Sequence, residues 1–344
     1  MFARTAAPPR IIINGVGNVG RRIIRFCDAK GWPIVAAYNR AGPKVGKDIG
    51  ELAGLGKSLG VVVRDASEQD RSIVPADIVL NTIGDLLDGM LPVYERFLKA
   101  KINILCHGTQ SYNPFFENAE VAAKIDVLAK ENGVTFCGTG IWDTTRIWAP
   151  IVAAGTCLSI ESIVHTAHAE IGRQGGQFER LCAGVGLSVD EYMSSFINQK
   201  TPFTLNRYVH GPVVMVLQKL GCTIDHVRKY DEPIVFDVPV YSPHSKREFA
   251  AGVVVGTRNN VEVSTREGIF GNAAMEYRLF KEGDAEVLRW DINGVPGLTI
   301  NVERKDTANL SASALFNRIP DVIAARPGIV EITRLGPLRS TALT

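Results

Sequence analysis

No Cys-x-x-Cys pair occurs among the six cysteines of this chain (Cys27, Cys106, Cys137, Cys157, Cys182 and Cys222), and most stand inside apolar segments. That spacing argues against a zinc site or a disulfide framework and for buried free thiols. No apolar run approaches the ~18 residues that a membrane span requires, and the opening MFARTAAPPR lacks the apolar core of a secretory signal. A cytoplasmic protein without a membrane partner is expected. Neither charge is in excess: 38 Lys plus Arg face 36 Asp plus Glu, a formal net charge of +2. Binding a phosphate backbone calls for a basic excess, so nucleic acid is not an expected partner. Internal repeats and low-complexity segments are missing as well.

What is present is length and rhythm. A chain of 344 residues exceeds what one hydrophobic core usually serves. From Arg10 to about Pro150, the apolar runs RIIINGVG, PIVAAYNR, GVVVRD, DIVLNTIG, INILCHGT and VTFCGTG alternate with helical patterns at 18–30, 89–100 and 117–132. Continuous Val/Ile/Leu runs mark strands buried on both faces, and their alternation with helices predicts an α/β fold with a doubly wound parallel sheet of Rossmann type over 1–150. Beyond about 155 the rhythm changes to SIESIVHTAHAEI, EPIVFDVPVY, FAAGVVVGT, NVEVSTREGI, AAMEYRLFKE, AEVLRWDING and LTINVERK, with few helices between them. This predicts a second, α+β domain over 151–306 on an open mixed, largely antiparallel sheet that serves substrate binding and homodimerisation. The segment 307–344 reads as a helix capped near Thr307 or Asn309 and ended by Pro327-Gly328, with a tail, returning to the first domain.

The run Gly15-Val16-Gly17-Asn18-Val19-Gly20 lies directly between the β-branched strand Ile11-Ile12-Ile13 and the helical pattern that follows. That is the setting of a dinucleotide turn. The first Gly permits the turn, the second admits pyrophosphate to the backbone, and the third lets helix pack on strand. The anion would then rest on amides at the helix N-terminus. Some 20 residues on, where an NAD-binding domain usually places an acid on the ribose, stand Asn39 and Arg40. A guanidinium pairs with a 2′-phosphate, helped by Lys44 or Lys47, so NADP(H) is expected over NAD(H).

Several blocks together resemble the 2,4-diaminopentanoate dehydrogenases, relatives of dihydrodipicolinate reductase whose group includes the native amine dehydrogenases. They are GVGNVG, GPKVGKDIGELAGLGKSLGVVV, ENGVTFCGTGI, GVGLSVDEYMSS and ALFNRIPDVIAARPGIVEI, spread from about 10 to 335. The resemblance implies reversible hydride transfer between a nicotinamide and a carbon bearing nitrogen. It also implies a dimer and a Glu after the fifth strand to bind and deprotonate the amine. Gly108, Thr109 and Gln110 occupy the candidate positions for that Glu, and Trp142, Asp143, Thr144, Thr145 and Arg146 replace the family's Gly-x-Asn-Pro-Gly-like turn.

Ligands of an open α/β sheet bind beyond the carboxyl ends of its strands. Thr82, Ile83 and Gly84 are therefore expected to line ribose and nicotinamide, with Gly138, Thr139 and Gly140 also at the cofactor. His107 or Tyr112 is a candidate acid for an alkoxide, and Asp143 the nearest carboxylate for an iminium, unless it only caps a helix. Gln110, Trp142, Arg146, His168 and Glu170 are substrate candidates, with Arg173 beside them, and Asn317 is a cofactor candidate because relatives carry an Asn there. His165 and His168, three apart on a predicted strand, point to opposite faces and are not expected to share a metal. Two other readings stand open, a ketone or alcohol oxidoreductase that uses no ammonia and a non-catalytic NADPH-binding module. The aromatic set Tyr112, Phe115, Phe116, Trp142 and Trp148 favours an enzyme, because it reads as a substrate-pocket wall.

Overall fold

A computed structural model describes residues 7–67, 73–84, 86–174, 176–197 and 210–341. The chain divides into two units, Met1–Arg146 with Lys305–Thr344, and Ile147–Arg304.

In the first unit, β1 (Ile11–Asn14), β2 (Ile34–Asn39), β3 (Val63–Asp65), β4 (Ile78–Asn81), β5 (Asn103–His107) and β6 (Thr135–Thr139) form a parallel sheet in the order β3-β2-β1-β4-β5-β6. The short strand Gly328–Ile329 extends it beside β6. β1 and β4 are buried along their whole length, which is why they read as unbroken apolar runs. The helix Asn18–Lys30 has the bounds read from the pattern, and Leu87–Lys99 starts two residues earlier than expected. The third, expected over 117–132, is Ala119–Asn132, starting later because Asn118 leaves helical geometry and its side chain accepts from Val121 N at 3.1 Å, and a separate short helix, Pro114–Glu117, precedes it. Ile12, Val79, Ile104 and Phe136 from the strands pack with Tyr94, Phe97 and Ile125 from the helices in one core.

The returning helix runs Thr307–Ile323 and packs on Asn18–Lys30. Its cap is Asp306 rather than Thr307 or Asn309, with the carboxylate accepting from Asn309 N at 3.0 Å. It ends ahead of Pro327, after Pro320 in its last turn.

The second unit holds β7 (Ser159–Glu170), β8 (Ile224–Val235), the small pair β9 (Val240–Ser242) and β10 (Arg247–Phe249), then β11 (Val254–Thr265), β12 (Phe270–Arg278), β13 (Val287–Val295) and β14 (Leu298–Asn301). Its six-stranded sheet runs β14-β13-β7-β12-β11-β8, with β7 and β12 parallel and the other neighbours antiparallel. The predicted strands at 249–257 and 260–269 are one, β11. Its polar middle stays in the sheet because Asn259 and Asn260 donate to Asp231 and Glu232 of β8 at 2.6 and 2.9 Å. β8 begins well before 232, and its charged sequence suits a sheet edge. Helices Gly176–Ala183 and His210–Lys219 were not read from the sequence. Ala183, Val255 and Met275 share a core, and Val213 and Leu217 lie over Gly271.

Candidate active site

The turn after β1 is built on close approach. Gly15 has φ +113°, where an L side chain is strained, and a Cβ there would meet Thr82 Oγ1 and Ile83 Cγ2, each at 2.6 Å. Thr82 Oγ1 donates to Gly15 O at 2.7 Å, which binds the end of β4 to the turn. At Gly20 a Cβ would lie 2.0 Å from Gly15 O, so helix and turn touch only because this residue is glycine. Gly17 differs: a Cβ there meets nothing within 4 Å. It is the N-cap of Asn18–Lys30, with no side-chain cap and no acid in the first turn. The space beside Gly17 is therefore empty, and the free amides of a first helical turn are the cradle an anion requires. The Asn18 side chain itself is held by Arg22.

Beside this cradle the end of β2 supplies cations. Asn39 Oδ1 accepts from Val16 N at 3.2 Å, so this expected cofactor residue also braces the turn. Lys44, rather than Lys47, reaches it, donating to Val16 O at 2.8 Å. Burial and then the neighbouring charges of Arg21 and Arg40 push the Lys44 ammonium down from its ordinary pKa. Lys44 thus feels the charge of both arginines. Arg21 was not singled out in the sequence, although its place on the first turn of the helix is a signal for it.

The ends of β5 and β6 form a second cluster. A Cβ on Gly138 would lie 2.2 Å from the Ser111 carbonyl carbon, and one on Gly140 3.0 Å from the Tyr112 hydroxyl and 3.3 Å from the His107 ring. His107 Nε2 is 2.7 Å from Ser311 Oγ, on the returning helix. Tyr112 stacks on Trp142, ring centroids 5.4 Å apart, and its oxygen accepts from Trp142 N. Burial, then the charge of Asp143, hold the Tyr112 phenol well above its ordinary pKa, so it stays a neutral hydroxyl.

Several candidate residues have partners within the fold. Asp143 is fully buried, and its oxygens accept from Thr139 Oγ1 at 2.8 Å and Arg318 Nε and Nη2 at 2.7 and 2.8 Å. Thr139 is drawn into the same network. Arg318 also donates to Asp321 and to Gly336 O at 2.9 and 2.7 Å. Its own pKa, which burial would lower, is held up by Asp143 and Asp321. The sequence signal was a lone Arg inside the buried stripe Leu315, Ile319 and Val322. Gln110 accepts from Leu87 N at 2.9 Å and so caps the helix Leu87–Lys99. Asn317 turns to the C-terminal tail, accepting from Thr341 N and Oγ1 at 3.0 and 2.8 Å. Arg146 is 2 % exposed, its guanidinium 5.4 Å from the Trp142 ring centre. Ile83 stays open at 44 %, while Gly84 O accepts from Asn81 Nδ2 at 2.9 Å.

In the second unit, His165 stacks on Trp290 at 4.2 Å and donates from Nδ1 to Arg289 O, 2.9 Å away, while His168 lies 3.6 Å from Glu276. The strand alternation separates the two histidines. Glu170 lies 3.6 Å from His244. The Arg173 side chain is outside the described residues. Among the described residues no group of three or more His, Cys, Asp or Glu could hold a metal, and no helix is long and apolar enough to cross a membrane. None of the six cysteines is in a disulfide; Cys157 is half-buried and the rest are buried.

Residues 150–342 match the model of the 2,4-diaminopentanoate dehydrogenase C-terminal domain. The chain is 25 % identical over 308 residues to the 2,4-diaminopentanoate dehydrogenase of Acetoanaerobium sticklandii, covering 83 % of this chain and 85 % of that protein. It is 23 % identical over 355 residues to an amine dehydrogenase of Streptomyces virginiae, covering 95 and 96 %. The solved amine dehydrogenase of Mycobacterium smegmatis superposes with a TM-score of 0.84 at 27 % identity, over 97 % of this chain and 98 % of that one. A probable dehydrogenase of Thermotoga maritima, 14 % identical, shares the fold with a TM-score of 0.60, over 95 % of this chain and 92 % of that one. Taken with the glycine turn and the two-sheet architecture, these likenesses identify the chain as an oxidoreductase of the amine dehydrogenase type, a member of the 2,4-diaminopentanoate dehydrogenase family.

Proposed function

We propose that the protein transfers hydride reversibly between NADP(H) and the carbon of a C=N or C=O group in a small substrate. The observation that carries this reading is the open helix N-terminus at Gly17 with Arg21, Arg40 and Lys44 gathered beside it. The residues fit the dinucleotide. Amides of the helix's first turn would hold the pyrophosphate, Arg21, Arg40 and Lys44 would take the 2′-phosphate, and exposed Ile83 would offer an apolar wall. When bound, the nicotinamide supplies or accepts the hydride.

The chain's own residues handle the proton. Tyr112, kept neutral, supports the pocket wall through Trp142. His107 is the proton donor, with Ser311 Oγ, 2.7 Å from Nε2, holding the orientation of the ring. No acid stands at 108–110, and Gln110 is committed to Leu87 N. That observation favours a second reading, reduction of a ketone or a preformed imine without ammonia. An imine arrives protonated and needs little help, whereas ammonia must be bound and deprotonated. A homodimer through the sheet of the second unit remains the expected assembly, checked by sedimentation.

NADPH and NADH oxidation followed across small ketones, with and without ammonium, and preformed cyclic imines tests the proposal. Ammonium-dependent turnover supports amine dehydrogenase chemistry, and turnover of ketones or imines alone supports the second reading. No turnover of any of them, with NADPH still bound, would leave a binding module and sink both.

A further inference from the structure

Between β2 and β3 the chain makes a long excursion, GPKVGKDIGELAGLGKSLGVV, whose backbone is folded around one carboxylate. Asp48 Oδ1 accepts from Gly50 N at 2.7 Å and Leu59 N at 2.9 Å; Oδ2 accepts from Ser58 Oγ at 3.0 Å and Val61 N at 3.1 Å. The later part of the excursion, from Gly50 to Val61, thus closes on this one side chain, which is 9 % exposed. The segment that carries Asp48 is stitched to the start of β3 by Gly46 N to Val63 O, Val63 N to Lys47 O and Ile49 N to Val61 O, each 2.9 Å. Gly50 fits because it has no side chain: a Cβ there would lie 2.3 Å from Lys57 O. Four residues before Asp48, Lys44 crosses to the glycine turn and donates to Val16 O.

We infer that Asp48 is a positioning residue for cofactor selection, holding the excursion so that Lys44 stands with Arg21 and Arg40 where a 2′-phosphate would bind. The inference rests on the NADP(H) reading above. Its physical basis is that Asp48, four residues after Lys44, ties that segment of the excursion to Gly50, Ser58, Leu59 and Val61, beside the backbone bonds to Val61 and Val63. An Asn in its place keeps the shape. It brings an N–H₂ against a backbone N–H: with the amide nitrogen at Oδ2, Ser58 Oγ can turn to accept, but Val61 N loses its acceptor. The excursion then loosens, and the contact that depends on an exact cation position weakens before those at the pyrophosphate do.

The test is KM and kcat for NADPH and for NADH in the wild type, Asp48→Asn and Arg40→Ala, with a substrate that the wild type turns over. Asp48→Asn is expected to raise KM for NADPH about 10-fold, the loss of one charge-assisted contact, with kcat and the NADH values little changed. A wild type with no preference for NADPH overturns the cofactor reading itself. A wild type that prefers NADPH, with the preference lost in Arg40→Ala and kept in Asp48→Asn, overturns this inference alone. Should Asp48→Asn not fold, Ser58→Ala removes one of the four donors. Its preference is then expected to fall about threefold, and an unchanged preference counts against the inference.

Discussion

Arg318 closes on Asp143 through two hydrogen bonds of 2.7 and 2.8 Å across 175 residues of chain, and neither side chain is exposed. The pair fastens the segment after β6, which carries Trp142, to the returning helix. Removing the Asp143 charge leaves the buried Arg318 cation with Asp321 alone, and a hydrogen bond to a charged group is worth about 1.5–3 kcal/mol. Asp143→Asn is accordingly expected to lower the urea midpoint. A loss below 1 kcal/mol would show that the pair is dispensable.

The glycine turn separates packing from binding. Gly20→Ala sets a Cβ against a backbone oxygen, and its cost falls at the upper end of the ~1–3 kcal/mol usual for overpacking. Gly17→Ala meets nothing, so its effect on stability stays within about 1 kcal/mol, the N-cap preference for Gly over Ala. Thermal denaturation together with cofactor titration should therefore find Gly20→Ala unstable and Gly17→Ala folded but weak for the dinucleotide. Equal affinity in Gly17→Ala and wild type would remove the pyrophosphate from this cradle.

The Tyr112 phenol, raised by burial and by Asp143, is not expected to ionise in the working range. The alkaline limb of kcat/KM should keep its position in Tyr112→Phe, even where the rate itself falls. A limb near pH 10 that disappears in the variant would show that the phenol titrates during turnover.

Acid should act through Asp48. Its backbone and Ser58 hydrogen bonds outweigh burial and hold its pKa below the ordinary 3.8. A carboxylate lowered in the fold contributes stability that is complete above its unfolded pKa and disappears as pH falls through the folded one. The stability gap between wild type and Asp48→Asn should thus be full at pH 7 and shrink below about pH 4. A gap that stays constant down to pH 2 would mean that the charge contributes nothing and only the shape matters.

Much of the first unit was legible because its signals are local. Ile11-Ile12-Ile13 followed by Gly15 and Gly20 states a strand, a turn and a helix within ten residues, and the structure has all three. The polar middle of β11 was not legible, since Asn259 and Asn260 are held by β8 partners 28 residues away. β8 was hidden by charges that a strand tolerates at the edge of a sheet.

The sequence by itself determined the parallel sheet, the glycine turn and the absence of an acid at 108–110, because buried periodicity, glycine geometry and residue identity need no knowledge of distant neighbours. Only the tertiary structure decided what Asp143, Gln110 and Asn317 do. Each has polar atoms that could serve a ligand, and each finds its partner elsewhere in the fold, in Arg318, Leu87 N and Thr341. A polar side chain near a site belongs to the ligand only if the folded chain has not already satisfied it, and that depends on contacts across 23 to 175 residues which no local pattern encodes.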